Sequence, residues 1–293
     1  MIESFLRFIQ YEKRYSNHTI QSYHTDLAQL DSFLKSHFNE VNLLEVNHSL
    51  LRSWVVSLSE YGLGARSINR KIIAIRSFYK FALHKGIIKA NPASKLRLLK
   101  TPRNIPYFVR QEEIISMLDH IEFTDDFIGT RDKLILEVLY GTGIRESELI
   151  NLNENKIDFI EGQLKVLGKR NKERIIPISR NLINVIKKYL EKKKDTLGSN
   201  ASHFLIVTNR GKKAYPMFIY RIVDRYLKSY TNVEKTSPHI LRHTFATHLL
   251  NKGANLNAVK DLLGHQSLAS TQVYTHNTLD KIKKIFEQAH PKA

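Results

Sequence analysis

The sequence predicts a mainly α-helical protein of two domains, the second carrying a small antiparallel sheet. Three observations predict it. Apolar residues recur at three- and four-residue spacing through residues 1–90 and again from Pro216 onward, the period of helices with one buried face. Two short apolar runs, 163–167 and 174–178, flank the basic turn Gly168-Lys169-Arg170-Asn171-Lys172, as in a β-hairpin. The 293 residues suffice for two cores at about 100–200 residues per domain. Between them residues 97–106, RLLKTPRNIP, hold two prolines, no acid and no clear period. The domains are set at 1–98 and 107–293, with 99–106 as the linker.

The elements follow in order. Ile2, Phe5, Leu6 and Ile9 make a first apolar stripe. Ser16-Asn17 supplies capping chemistry for a second helix with Ile20, Tyr23, Leu27, Leu30 and Leu34. A short third helix covers 50–58 and a fourth 67–83, punctuated by Gly86 and Asn91-Pro92. In the second domain 109–121 and 130–139 read as helices, then comes the hairpin. Residues 183–194 form a helix whose Lys192-Lys193-Lys194 end suits the macrodipole. Phe204-Leu205-Ile206-Val207 reads as a third strand. The remainder is helical, broken at Gly253 and Gly264. There is no internal repeat and no low-complexity segment.

The charge narrows the function. Lys and Arg number 46 against 28 Asp and Glu, a net charge of +18. The excess is shared by both halves: 15 basic and 7 acidic residues in 1–100, 31 and 21 in the rest. This is no basic tail. There is no cysteine, which excludes disulfides, thiolate metal sites and a Cys nucleophile, and fits the cytoplasm. The first 15 residues carry Glu3, Arg7, Glu12, Lys13 and Arg14, unlike a signal peptide. No apolar run approaches the roughly 18 residues of a membrane span. A basic, cysteine-free protein of this kind points to an anionic polymer, nucleic acid first. From Tyr61 to Gln111 there is no acid and there are twelve Lys/Arg. On the fourth helix Arg66, Arg70, Arg76 and Lys80 fall opposite the apolar arc of Ile68, Ile72, Ile75, Phe78, Tyr79 and Ala82. A solvated face usually mixes signs, so these four are the candidate DNA contacts.

Candidate chemistry lies in the second half. Gly141-Thr142-Gly143-Ile144-Arg145 precedes a helix over 146–152. Two glycines permit a tight turn at a helix N-terminus, where anions are favoured, and an Arg there offers parallel donors to a phosphate. After Ser237-Pro238, His239 and Arg242 are three apart and share a helix face. His239 and His243 have i,i+4 spacing, but no Glu occupies the HExxH position and Arg242 would repel a cation, so no metal is assigned. Leu263-Gly264-His265 is followed by Val273-Tyr274-Thr275-His276.

Together Arg145, Lys169, His239, Arg242, His265 and Tyr274 resemble the tyrosine recombinase (phage integrase) family, and within it the Xer-type site-specific recombinases. The stretches that carry the likeness are GTGIRESEL, VLGKRNKERIIP, SPHILRHTFATHLL and LGHQSLASTQVYTH. In the first half RYSNHTIQSYHTDLAQLDSFL and ARSINRKIIAIRSFYKFA resemble the family's core-binding domain. The likeness spans nearly the whole chain, and the six positions are complete and in order.

The resemblance implies a SAM-like helical core-binding domain followed by a mixed α/β catalytic domain. It implies transesterification at a DNA phosphodiester through a 3′-phosphotyrosyl intermediate. Tyr274 would be the nucleophile, whose phenol, of reference pKa about 10, needs help to lose its proton. Arg145 and Arg242 would neutralise the nonbridging oxygens. His239 and His265 would hydrogen-bond them, and Lys169 would protonate the leaving 5′-oxygen. Glu148, three residues after Arg145, would orient the site without reacting. Neither metal nor ATP is required, since the arginines carry the charge and the phosphotyrosine conserves the bond. The expected partner is double-stranded DNA with an inverted-repeat site, acted on by identical or paralogous subunits, a tetramer in the synaptic complex. The apolar residues Ile282, Ile285, Phe286 and Ala289 are expected to dock on a neighbouring protomer. Chromosome-dimer resolution at a dif-like site is the favoured role. A mobile-element integrase, a type IB topoisomerase-like nickase-ligase and a non-catalytic DNA-binding regulator are the alternatives.

Overall fold

The computed structural model describes residues 1–38, 42–102, 107–168, 173–198, 201–264, 288–289 and 291–292. The chain forms two compact units, Met1–Asn104 and Ile105–Ala293.

The first unit is helical. Helix α1 (Ile2–Arg7) runs into a π-helical turn (Phe8–Glu12), followed by α2 (Asn17–His37), α3 (His48–Glu60) and α4 (Ala65–His84). Ser16 caps α2 by accepting the Thr19 N–H at 3.3 Å, and Asn47 caps α3 through the Leu50 N–H at 3.0 Å. The expected stripes meet in one core that includes Phe5, Leu27, Leu34, Trp54, Ile72, Phe78 and Tyr79. One polar knot interrupts it. Asp26 of α2 is fully buried and receives Lys71 at 2.9 Å and Arg70 at 2.5 Å, both from α4. Two donors from cations repay the burial of that carboxylate.

This knot divides the four arc residues of α4. Arg66 and Lys80 are exposed. Arg70 leans on Asp26, while Arg76 is half-buried and donates to the Leu96 carbonyl. Helical spacing placed all four opposite the core, but α2 and residues 96–99 pack beside that arc and take up two of them.

In the second unit α5 (Gln111–His120) precedes α6 (Phe127–Thr142), the central helix, buried along nearly its whole length. Then come α7 (Glu146–Ile150), a 3₁₀ turn (Glu154–Lys156) and the strands β1 (Ile157–Asp158), β2 (Gln163–Leu167) and β3 (Glu173–Pro177). They pair antiparallel in the order β1-β2-β3, with Leu164 opposite Ile157 and Ile176. Helices α8 (Arg180–Leu197), α9 (Pro216–Tyr230), α10 (Pro238–Asn251) and α11 (Leu256–Leu263) follow, up to Gly264. Helices α8, α9 and α10 all pack on α6.

Two expectations are corrected. The third strand is Ile157–Asp158, not 204–207. Leu205, Ile206 and Val207 are fully buried, but their segment pairs through isolated bridges and not as a ladder, with the Leu205 N–H on the Leu152 carbonyl at 2.7 Å and Lys193 on the Phe204 carbonyl at 2.7 Å. A short apolar run does not distinguish a strand from a buried loop. Gly141 is not a turn residue either. Helix α6 continues through Thr142 and stops at Gly143, φ +61°.

Residues 288–289 and 291–292 lie on the second unit. Gln288-Ala289 is helical and Ala289 belongs to the core. Lys292 donates to Glu137 of α6 and to Asp119 of α5, each at 2.7 Å. Ala289 was expected on a neighbouring protomer, whereas Ile282, Ile285 and Phe286 fall outside the described residues. No helix among the described residues is long and apolar enough to cross a membrane.

Burial pushes the Glu137 carboxyl up, and the Lys292 charge opposes that rise. Lys292→Met should therefore raise it further and lower stability by about 1–3 kcal/mol at pH 8. The folded state then holds a proton that the unfolded state releases, so the loss should shrink as pH falls toward 5. Urea denaturation of both proteins at the two pH values measures this; a loss that grows on acidification would contradict the pairing.

Candidate active site

The site starts at the break between α6 and α7. Gly143 ends α6 in the left-handed region, and a Cβ there would collide with the Phe245 ring. Arg145 is the N-cap of α7 and Glu148 its third residue. The Glu148 carboxylate accepts the Arg145 backbone N–H at 2.8 Å, the returning half of a capping box. Helix-start chemistry thus delivers a carboxylate to the side of Arg145.

That carboxylate is the hub. It accepts the Arg145 guanidinium at 2.9 Å and both Nη groups of Arg174 at 2.8 Å. The same arginines reach the end of α11. Arg174 Nε donates to the Leu262 carbonyl at 2.9 Å, Arg242 to Leu263 at 2.6 Å, and Arg145 to Gly264 at 3.3 Å. Arg242 also donates to the Gly143 carbonyl at 2.5 Å. Three successive carbonyls are therefore held by three different guanidiniums. The last carbonyls of a helix have no intrahelical partner and carry partial negative charge, so cations suit them.

The electrostatics follow from one carboxylate among three guanidiniums. Burial would push Glu148 up, but hydrogen bonds and charge from Arg174, then Arg145, hold it below the usual carboxylate range. Burial and the neighbouring Arg145 charge lower Arg242 to about 10, and Glu148 opposes that shift. A surplus of two positive charges remains, suited to an anion such as a phosphate. Arg145 keeps 32% of its side chain exposed, so it can exchange the weak Gly264 contact for a ligand.

Of the other expected residues, His239 is exposed on the first turn of α10, one turn before Arg242. Lys169, His265 and Tyr274 lie outside the described residues. The His-rich character of α10 divides by face. His248 is buried, between the Tyr140 hydroxyl at 3.1 Å and the Val109 carbonyl at 3.0 Å, and it belongs to the core. Arg174, within VLGKRNKERIIP, is a further functional residue beside the six expected positions. It was legible: Arg174 and Ile176 share the inward face of β3, and an Arg on a core-facing strand position demands a carboxylate.

Residues 107–280 match the phage integrase family, and residues 2–86 match the phage integrase N-terminal SAM-like domain. The tyrosine recombinase XerC of Chlorobaculum parvum is 37% identical over 317 residues, covering 100% of this chain and 94% of that protein. That of Oceanobacillus iheyensis is 38% identical over 295 residues, covering 100% and 96%. The chain belongs to the phage integrase family of tyrosine recombinases. It is a site-specific recombinase, mainly helical, with a SAM-like N-terminal domain. Its fold is shared by the Tn1549 transposon integrase in complex with transposon right end DNA, at a TM-score of 0.74, 20% identity and coverage of 97% and 98%. The XerH recombinase bound to palindromic difH substrate gives a TM-score of 0.73, 20% identity and coverage of 97% and 83%.

Glu148→Gln removes the one negative charge of the recombinase cluster. Arg242 then loses the group that opposes its lowered pKa, so its alkaline deprotonation should move to lower pH. Single-turnover cleavage of a nicked DNA site should fall at least about tenfold at neutral pH, and its alkaline limb should begin earlier. An unchanged pH profile would detach Glu148 from Arg242.

Proposed function

We propose that this recombinase cuts and rejoins double-stranded DNA at an inverted-repeat, dif-like site to resolve chromosome dimers, with Tyr274 as the nucleophile. The observation that carries the chemistry is the convergence of Arg145 and Arg242 at the end of α11, one residue before His265. Arg145, paired with Glu148, and Arg242, held by the Gly143 and Leu263 carbonyls, keep a positive surplus that suits the nonbridging oxygens of a phosphodiester.

In this reading the Tyr274 oxygen attacks phosphorus, and the bond to the 5′-oxygen breaks. The product is a 3′-phosphotyrosyl link and a free 5′-hydroxyl. His239 takes the phenolic proton and, with His265, hydrogen-bonds the phosphoryl oxygens. Lys169 gives the leaving 5′-oxygen its proton. A second 5′-hydroxyl reverses the step on the new partner strand. The exchanged bonds are near in energy, so neither ATP nor a metal is called on.

Residues 1–98 clamp the duplex and residues 107–293 perform the chemistry. On α4, Arg66 and Lys80 meet phosphates, joined by the exposed part of Arg70. Arg76 supports them from its place against Leu96. Subunits, identical or paralogous, assemble as a tetramer on paired sites in the cytoplasm. The name XerC carried by relatives over their full length supports the chromosomal role over mobile-element integration.

A nicked suicide substrate tests the assignment. The unaltered protein should accumulate a covalent adduct, and Tyr274→Phe should bind the same site without forming any. Adduct formation by the Phe variant would give the nucleophile's role to another residue.

A further inference from the structure

Arg174 stands on β3 five residues beyond Lys169, with 5% of its side chain exposed. Three of its donors are engaged, two on Glu148 and one on the Leu262 carbonyl. A guanidinium so enclosed is not free to take a phosphate. Its fork does something else: it fixes three chain segments against one another. The two Nη groups face α7, the Nε faces the end of α11, and the backbone that carries the side chain belongs to the hairpin. The approach is close enough that a Cβ on Gly264 would lie 3.3 Å from an Arg174 Nη. Gly264 also has φ +64°, the conformation that turns the chain out of α11 toward His265.

We infer that Arg174 is the positioning residue of the site: its planar fork sets the register of β3 and of the end of α11 against α7, which carries Arg145. Its bidentate pairing also consumes the Glu148 charge, which leaves Arg145 and Arg242 as the surplus that meets the anion. Lysine at this position would keep the charge and could reach Glu148. It would not span both carboxylate oxygens and the Leu262 carbonyl, because an ammonium is a point donor without a fork. This inference rests on the proposed roles of Lys169 and Arg145.

The test compares Arg174→Lys with Lys169→Ala in melting temperature, DNA affinity and single-turnover cleavage at saturating protein. Each cleaves a nicked site with an ordinary phosphodiester and one with a 5′-bridging phosphorothiolate, whose thiolate leaves without a proton. R174K should stay folded and bind DNA as the unaltered protein does. It should lose cleavage of the ordinary site by about tenfold to a hundredfold, the upper figure being the cost of a misplacement near 1 Å. On the phosphorothiolate part of that loss should return, the part that belongs to Lys169. Wild-type cleavage by R174K would overturn the inference, as would a loss explained wholly by weaker binding or by unfolding at the assay temperature. An equal loss on both substrates would also overturn it, provided K169A recovers on the phosphorothiolate. Failure of K169A itself to recover would instead remove Lys169 as the general acid, and the R174K loss at full occupancy would then decide the positioning role alone.

Discussion

The end of α11 depends on side chains that are not its own. Helix α11 has eight residues, too few to hold its last carbonyls rigid by itself. Leu262, Leu263 and Gly264 offer those carbonyls one after another, and Arg174, Arg242 and Arg145 each take one. The next residue is His265. The chain therefore leaves α11 from a point fixed by three guanidiniums rooted at α7, β3 and α10. Gly143 and Gly264 let the backbone come close enough for this, the first by giving Arg242 a carbonyl and the second by giving Arg174 room.

The same economy of carboxylates runs through the chain. With 46 basic and 28 acidic residues, cations outnumber acids, and the few buried acids decide which cations become fixed. Glu148 fixes Arg174 and steadies Arg145. Asp26 fixes Lys71 and holds Arg70. Buried Glu137, with Asp119 beside it, fixes Lys292. A cation bonded to a buried acid is a strut; an exposed one such as Arg66 or Lys80 is available to phosphate. Removing one acid thus changes the positions of several cations at once, because a buried charge left unpaired is expensive.

Helical periodicity made the first unit legible, since the stripes from Phe5 to Ala82 face the core as spacing requires, with Ile20 and Leu50 half-buried at its margin. The hairpin was legible from its flanking runs, and Glu148 from its offset from Arg145. What escaped were features set by packing between distant segments. Residues 204–207 are apolar enough for a strand, but the sheet already has Ile157–Asp158 at that edge of β2. Arg70 and Arg76 lie on the basic arc of α4, yet Asp26 and Leu96, 44 and 20 residues away, claim them. For Arg174 the inward register beside Ile176 is visible in the sequence, but its partner, 26 residues earlier on another element, is not.

A structure of the recombinase with a nicked DNA site and vanadate in place of the scissile phosphate tests the arginine cluster most directly. Expected are hydrogen bonds from Arg145 and Arg242 to the equatorial oxygens, with Arg174 still forked onto Glu148 and the Leu262 carbonyl. Vanadate held by Arg174, or held away from Arg145 and Arg242, would contradict the division between the cation that positions and the cations that react.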